Sequence, residues 1–149
     1  MITEIKRFNV RVYGLLLNDN REILLSTERR GDFHFTKFPR GGLELGEGTK
    51  DCLMREFKEE LGIEIELKKH FYTTDFFQRS AFRNEEQIIS IYYLVHSKQL
   101  NKVKNGMEAL DREEGNKHHF YWKRVEDLEQ KELTFPIDRL VLEKLTQNQ

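Results

Sequence analysis

GGLELGEGTKDCLMREFKEELGI, residues 41–63, sets a glycine-rich loop directly ahead of a segment that gathers its carboxylates on one side. At about 100° per helical residue, Glu56, Glu59 and Glu60 fall within an arc of roughly 100°. Like charges so placed repel by a few tenths of a kcal/mol per pair in a solvated helix, and by more when partly buried. A hard divalent cation with oxygen ligands is the natural counter-charge. Taken without the loop, the same pattern also describes an amphipathic helix with a solvated acidic face. Leu53, Phe57 and Leu61 recur at i, i+4 and i+8 and, with Met54, give the helix an apolar stripe for docking on a core. Thr49 and Asp51 are expected to supply the N-terminal cap and an acidic first turn, and Gly62 the C-terminal glycine. The helix is therefore bracketed at about 49–61. Pro39-Arg40-Gly41-Gly42 and Gly46-Glu47-Gly48 are expected to lie outside regular structure, with glycines that let the backbone approach a ligand.

The fixed positions run Gly41, five residues, Glu47, seven residues, then Arg55-Glu56-Phe57-Lys58-Glu59-Glu60-Leu61-Gly62-Ile63. This spacing resembles the signature of the Nudix hydrolases, with every fixed position present. The resemblance implies an α/β fold, an alpha/beta/alpha sandwich with a mixed central sheet, as a single domain over nearly all of residues 1–149. It also implies metal-dependent hydrolysis of a pyrophosphate bond in a nucleoside diphosphate linked to another group: a nucleotide, a nucleotide sugar or a dinucleoside polyphosphate. Carried over by position, Glu56, Glu59 and Glu60 match the principal metal ligands, and the main-chain carbonyl of Arg40 matches a further one. Glu47 matches the acidic support of the metal shell, and Arg55 the arginine that orients these carboxylates. Magnesium is the expected ion, with manganese as the alternative. Magnesium wants octahedral oxygen and keeps some waters, so a few carboxylates plus substrate phosphates suit it. A planar guanidinium such as that of Arg55 holds a carboxylate in one orientation, as lysine does not. Arg40 and Phe57 depart from the family pattern, standing where glycine and an aliphatic residue are usual; Arg40 is a candidate grip on a substrate phosphate.

For the general base, relatives use the box glutamate matching Glu56 or a glutamate or histidine from a distal loop. Here that loop offers Glu113, Glu114, His118 and His119. Glu114 is the first choice as base or added ligand, and Glu113 the alternative; the paired histidines read as the start of a strand with one ring exposed. Phe33, Phe35, Tyr72 and Phe76 are candidate stacking surfaces for a base or sugar, Phe35 and Tyr72 foremost. Arg29, Arg30 and Arg79 are candidate phosphate contacts.

With 149 residues the chain suits one domain that buries about two-thirds of its unfolded surface. Its 25 basic and 26 acidic residues nearly cancel, which gives no electrostatic case for DNA or a membrane surface. The expected partner is a small-molecule nucleotide-type diphosphate; a homodimer stays open, because no stripe defines an interface by pattern. A lone cysteine, Cys52, rules out an internal disulfide, suits a reducing compartment and reads as packing. MITEIKRFNV lacks the apolar run of a secretory signal, and no segment approaches the roughly 18 apolar residues of a membrane span, so a cytoplasmic protein is expected.

Elsewhere, Phe8–Leu17 and Arg21–Ser26 read as a hairpin about Asn18-Asp19-Asn20, and Thr27–Phe35 as a loop leading to a short strand at Thr36–Phe38. Ile63, Ile65 and Leu67 alternate with charged residues as in a half-buried strand, with Phe71–Gln78 its continuation or partner. Gln87–His96 suits a central strand, Asn101–Asn116 a long loop, and His118–Lys123 a last strand. A short helical piece near Val125–Gln130 and a helix from Pro136 follow. Substrate markers are sparse. The proline of ADP-ribose enzymes and the tyrosine of dinucleoside polyphosphate enzymes would fall near Gln78 and Ser80, which match neither. Thr134 stands where the 8-oxo-dGTP enzymes of the family place asparagine. The Pro-x-Gly-Gly loop is similar to some dinucleoside polyphosphate and RNA 5′-pyrophosphate hydrolases. The competing function is a nucleotide-sensing module without catalysis, which tends to lose box carboxylates; this chain keeps them. An isoprenoid diphosphate isomerase would need a cysteine in a cleft loop, whereas Cys52 lies on the box helix.

Overall fold

Alternation along the first two strands decides the layering. The structure is a computed structural model that describes residues 4–110 and 116–147. Its elements are β1 (Arg7–Leu16), β2 (Glu22–Arg30), β3 (Phe33–Lys37), β4 (Arg40–Gly42), α1 (Thr49–Leu61), β5 (Glu66–Thr73), β6 (Glu86–His96), β7 (Met107–Leu110), β8 (Lys117–Arg124) and α2 (Pro136–Gln147). Val12 and Leu16 of β1 and Leu24 of β2 join Leu53, Phe57 and Leu61 of α1 in one buried cluster. The intervening residues Tyr13, Leu15, Ile23 and Leu25 join Ile137, Val141 and Leu142 of α2 in a second. Because strand side chains alternate faces, β1 and β2 are covered by α1 on one side and α2 on the other. The expected α/β sandwich holds. Gly14 makes the α1 contact feasible: a Cβ there would sit 2.6 Å from the Phe57 ring.

The strands divide between two four-stranded sheets, ordered β4-β1-β6-β5 and β3-β2-β8-β7. β1 and β6 run parallel, so the first sheet is mixed, and the second is antiparallel throughout. Gln87–His96 thus lies in a strand flanked on both edges, as its apolar run indicates.

Several sequence expectations need correction. The chain reverses at Asn18, whose Oδ1 accepts from the backbone N–H groups of Asn20 and Glu22 at 2.9 and 3.0 Å, but β1 and β2 then part into different sheets instead of forming one ladder. Among the described residues a single isolated bridge, Leu17 to Ile23, links the two past the turn, because β1 pairs along its whole length with β6, and β2 over residues 22–28 with β8. The supposed loop 27–35 is the end of β2, a turn at Gly31-Asp32, and the start of β3. Charge disguised it, since Glu28 points inward and is buried. Arg40–Gly42 is a strand, with Gly41 opposite Val12 of β1. Ile63 and Ile65 are buried as their alternation predicts, yet β5 begins only at Glu66. Side chains replace the ladder there: Gln99 Oε1 accepts from the Glu64 N–H at 2.8 Å and Ser97 Oγ donates to the Glu64 carbonyl at 2.7 Å. Residues 74–78 lie outside any strand, and the supposed loop 101–116 contains β7.

Candidate active site

The helix that carries the carboxylates is delimited by backbone chemistry. Gly48, not Thr49, is its N-cap, and Asp51 Oδ2 accepts from the Gly48 N–H at 3.3 Å. Thr49 instead shares a 2.7 Å hydrogen bond with the Tyr93 hydroxyl, tying α1 to β6. At the far end Gly62 adopts φ 68°, a left-handed conformation glycine takes without strain, and its N–H closes on the Lys58 carbonyl at 3.0 Å.

Arg55 is the hub of the acidic face. Its Nε and Nη2 donate to the two oxygens of Glu47 at 3.1 and 2.8 Å, a bidentate pair that pins the glycine loop onto α1. Its Nη1 donates to Glu56 at 2.8 Å and Glu59 at 3.3 Å, and Nη2 also reaches the Gly42 carbonyl at 3.3 Å. The Arg55 guanidinium holds the Glu47 carboxyl down to about 2 and is itself held protonated by the same bonds. Glu56 moves the other way: burial, then the negative charge of Glu60, push it up to about 7 against the pull of Arg55. Glu56 beside Glu60 on one helix, about half protonated at neutral pH, marks an acidic site whose negative charge Arg55 offsets only in part. Gly41 completes the packing, since a Cβ there would lie 2.0 Å from Glu56 Cγ.

The donor chemistry of this face fits a hard cation: carboxylate oxygens, a raised Glu56 whose ionisation a positive charge would favour, and a backbone approach that only glycine permits. Among the described residues, no three His, Cys, Asp or Glu side chains are already gathered as a metal cage, and Arg55 occupies oxygens of Glu56 and Glu59. An open set completed by substrate phosphates suits magnesium better than a closed cage.

Other candidate residues are distributed unevenly. Glu113 and Glu114 lie outside the described residues. His118 is buried, with Nε2 against Glu28 and Nδ1 3.1 Å from Ser26 Oγ, while His119 is exposed, as the sequence indicates. Phe35 does not meet the cleft: it is buried beneath Phe33, Phe82 and Phe135, a consequence of its inward position on β3. Tyr72, half-buried on β5, sits beside Tyr92 with the Lys144 ammonium 5.1 Å from its ring centre, and so packs against α2 instead. Arg30 stacks 3.9 Å over the Phe82 ring centre, and Arg79 lines the aromatic cavity described next. Cys52 is buried against the Gly42 carbonyl, and burial pushes its thiol up to about 12, so it packs and does not react.

Two concavities adjoin at Arg11 and Arg40. One, a narrow cleft, brings Arg11, Arg30, Lys37 and Arg40 together with Glu28 and Glu56. The other is an aromatic cavity whose walls include Tyr13, Gln78, Phe82, Phe135 and Ile137. Lys37, Glu28 and Arg11 of the cleft were not identifiable by motif. The signal available was period-two alternation through Ser26, Glu28 and Arg30, which puts three polar side chains on one strand face.

Comparison with known proteins identifies the family and the fold. The family model described as NUDIX domain matches residues 7–145, and the chain belongs to that family. It is similar to the 8-oxo-dGTP diphosphatase of Escherichia coli (strain K12), 30% identical over 91 residues, which is 59% of this chain and 64% of the relative. It is also similar to an RNA pyrophosphohydrolase of a Nitratiruptor species, 35% identical over 72 residues and 46% of each protein. The chain thus spans less than two-thirds of each of these relatives. In fold it matches a NUDIX hydrolase from Nitrosomonas europaea with a TM-score of 0.71 at 20% identity, covering 94% of this chain and 89% of that one. A MutT NUDIX hydrolase from Burkholderia pseudomallei matches with a TM-score of 0.69 at 23% identity, covering 94% and 99%. Among the described residues, no helix is long and apolar enough to cross a membrane.

Proposed function

We propose that this protein is a metal-dependent pyrophosphohydrolase that cleaves the anhydride bond of a nucleoside diphosphate linked to another group. The observation that carries the proposal is the Arg55 hub, which fixes Glu47, Glu56 and Glu59 beside Glu60 while burial and the Glu60 charge hold Glu56 up at about 7 in spite of Arg55. The named activities of the relatives, an 8-oxo-dGTP diphosphatase and an RNA pyrophosphohydrolase, share that bond type.

Glu56, Glu59, Glu60 and the Arg40 carbonyl are the residues proposed to hold magnesium or manganese, with Glu47 as support. The bound ion would neutralise charge developing at phosphorus and lower the pKa of the attacking water. The water oxygen forms a new bond to one phosphorus, the bridging P–O bond breaks, and its electron pair leaves on the other phosphoryl group. The water's proton passes to a carboxylate, a contribution of roughly 10² to 10⁴ in rate. Glu56 and the sequence-assigned Glu114 are the proposed acceptors. Arg55 acts through the carboxylates by holding their orientation. No covalent intermediate is needed, which accords with the inert Cys52.

Thr134 is engaged structurally, accepting through Oγ1 from the Thr36 N–H at 2.8 Å, while Phe135 beside it lines the aromatic cavity. That arrangement favours a substrate read by stacking and leaves oxidised guanine without the asparagine that family members use. The test is turnover of nucleoside triphosphates, nucleotide sugars, ADP-ribose, dinucleoside polyphosphates and 5′-triphosphorylated RNA with magnesium or manganese, followed by product identification. Cleavage of at least one with chelator-sensitive rates is expected. Recovery of every candidate intact, with one of them bound, would replace the enzyme by the nucleotide-sensing alternative.

A further inference from the structure

Resting on the pyrophosphohydrolase reading, we propose that Lys37 and Arg40 form a phosphoryl seat that holds the substrate's phosphate chain between the α1 carboxylates and the aromatic cavity, independently of the metal. Lys37 is 1% exposed at the end of β3, opposite Ser26 of β2, yet it lines the cleft that also contains Glu56. Among the described residues its ammonium makes one hydrogen bond, 3.5 Å to Ser26 Oγ, although it carries three donors. Arg40 carries five donors and, among the described residues, makes one side-chain hydrogen bond, 3.2 Å to the Tyr13 hydroxyl. Buried cations ordinarily come with carboxylate partners that satisfy them. Here Glu28, the carboxylate of the same cleft, is already engaged by His118 and by Arg30 at 3.6 Å. Asp138 of α2, whose charge also reaches both cations, accepts from the Tyr92 hydroxyl at 2.6 Å.

The cations therefore outnumber the anions in the cleft: Arg11, Arg30, Lys37 and Arg40 against Glu28 and Glu56. Burial, and then the neighbouring Arg40 charge, push Lys37 down to about 8, the response of an ammonium that lacks an anion in contact. A phosphoryl group supplies that anion, with several oxygens able to accept charge-assisted hydrogen bonds from an ammonium and a guanidinium at once. Arg40 lines both concavities, so a phosphate chain passing it would connect a ring in the aromatic cavity, against Phe82 and Phe135, to an anhydride beside Glu56. The substrate class this selects is an aromatic nucleoside carrying at least two linked phosphates.

The test is isothermal titration of inorganic tripolyphosphate into the intact protein in EDTA, so that metal-mediated binding is absent. Wild type is expected to bind with an affinity that falls with salt, and Lys37→Met and Arg40→Gly each to weaken binding at least tenfold. Arg40→Gly keeps the backbone carbonyl and tests the seat independently at its second cation. A nucleoside triphosphate should displace the tripolyphosphate. Absence of binding by wild type, an affinity in both variants equal to that of wild type, or simultaneous binding of the two ligands would each overturn the seat. Chelator-sensitive hydrolysis by a protein that fails this titration would sink the seat alone. Tripolyphosphate binding without hydrolysis of any substrate would sink the enzyme reading alone.

Discussion

Replacing Lys37 by methionine should make the protein more stable. A fall from the ordinary lysine value of 10.5 to about 8 amounts to about 3 kcal/mol disfavouring the charged form in the fold, at about 1.4 kcal/mol per pH unit. Losing the long Ser26 hydrogen bond takes back about 1 kcal/mol, and methionine fills the stem's volume, so a net gain of about 2 kcal/mol is expected at pH 7. For a domain of this size that is a rise in Tm of about 6 °C. The sign follows from proton linkage. Below pH 8 both folded and unfolded lysine are protonated, and the burial penalty is complete. Between 8 and 10.5 the unfolded chain binds the extra proton, so wild-type stability recovers with rising pH relative to the variant. Urea unfolding in phosphate-free buffer at pH 7 and pH 10 measures both quantities. A variant less stable than wild type at pH 7, or a gap that stays constant between the two pH values, would refute the claim that Lys37 is an uncompensated charge.

Three further outcomes follow from the acidic face. Glu59→Gln should lower metal-dependent turnover at least 100-fold while leaving cooperative unfolding intact, checked by steady-state kinetics and thermal melts; unchanged turnover would remove Glu59 from the site. Gly41→Ala forces a Cβ to within 2.0 Å of Glu56 Cγ, so Mg²⁺ affinity measured by calorimetry should fall at least tenfold, with a stability cost of about 1–3 kcal/mol. Because Glu56 in the fold stands near 7, above its ordinary 4.5, metal-free stability should decline as pH rises through that interval, and added Mg²⁺ should relieve it. The thermal shift on adding Mg²⁺ should therefore be larger at pH 8 than at pH 6; equal shifts would show that Glu56 does not sense the ion.

The box helix was legible because local chemistry and tertiary role agree there: apolar residues recur every four positions, an acidic residue opens the first turn and Gly62 ends the last. β6 and α2 were legible for the same reason. The β2–β3 hairpin was not, because Glu28, Lys37 and Arg30 sit where strand alternation would put apolar residues, and charged residues facing a cleft look like a loop. The split into two sheets was hidden because the reversal at Asn18 resembles any hairpin turn, and only long-range pairing decides where β1 and β2 go. Aromatic composition pointed to Phe35 as a stacking surface, but burial, which sequence does not show, puts Phe35 in the core and leaves Phe82 and Phe135 to line the cavity. Thr49 lost the capping role to Gly48 because Tyr93 of β6 claims its hydroxyl.

The most direct measurement is hydrolysis in ¹⁸O-labelled water with magnesium present, read by mass spectrometry of the phosphorylated products. Incorporation of one ¹⁸O at a single phosphorus of a nucleoside-linked anhydride, abolished by EDTA and by Glu59→Gln, is the result expected. Label incorporated at the same rate in EDTA or in Glu59→Gln, or no label in any product of any diphosphate offered, would contradict the account.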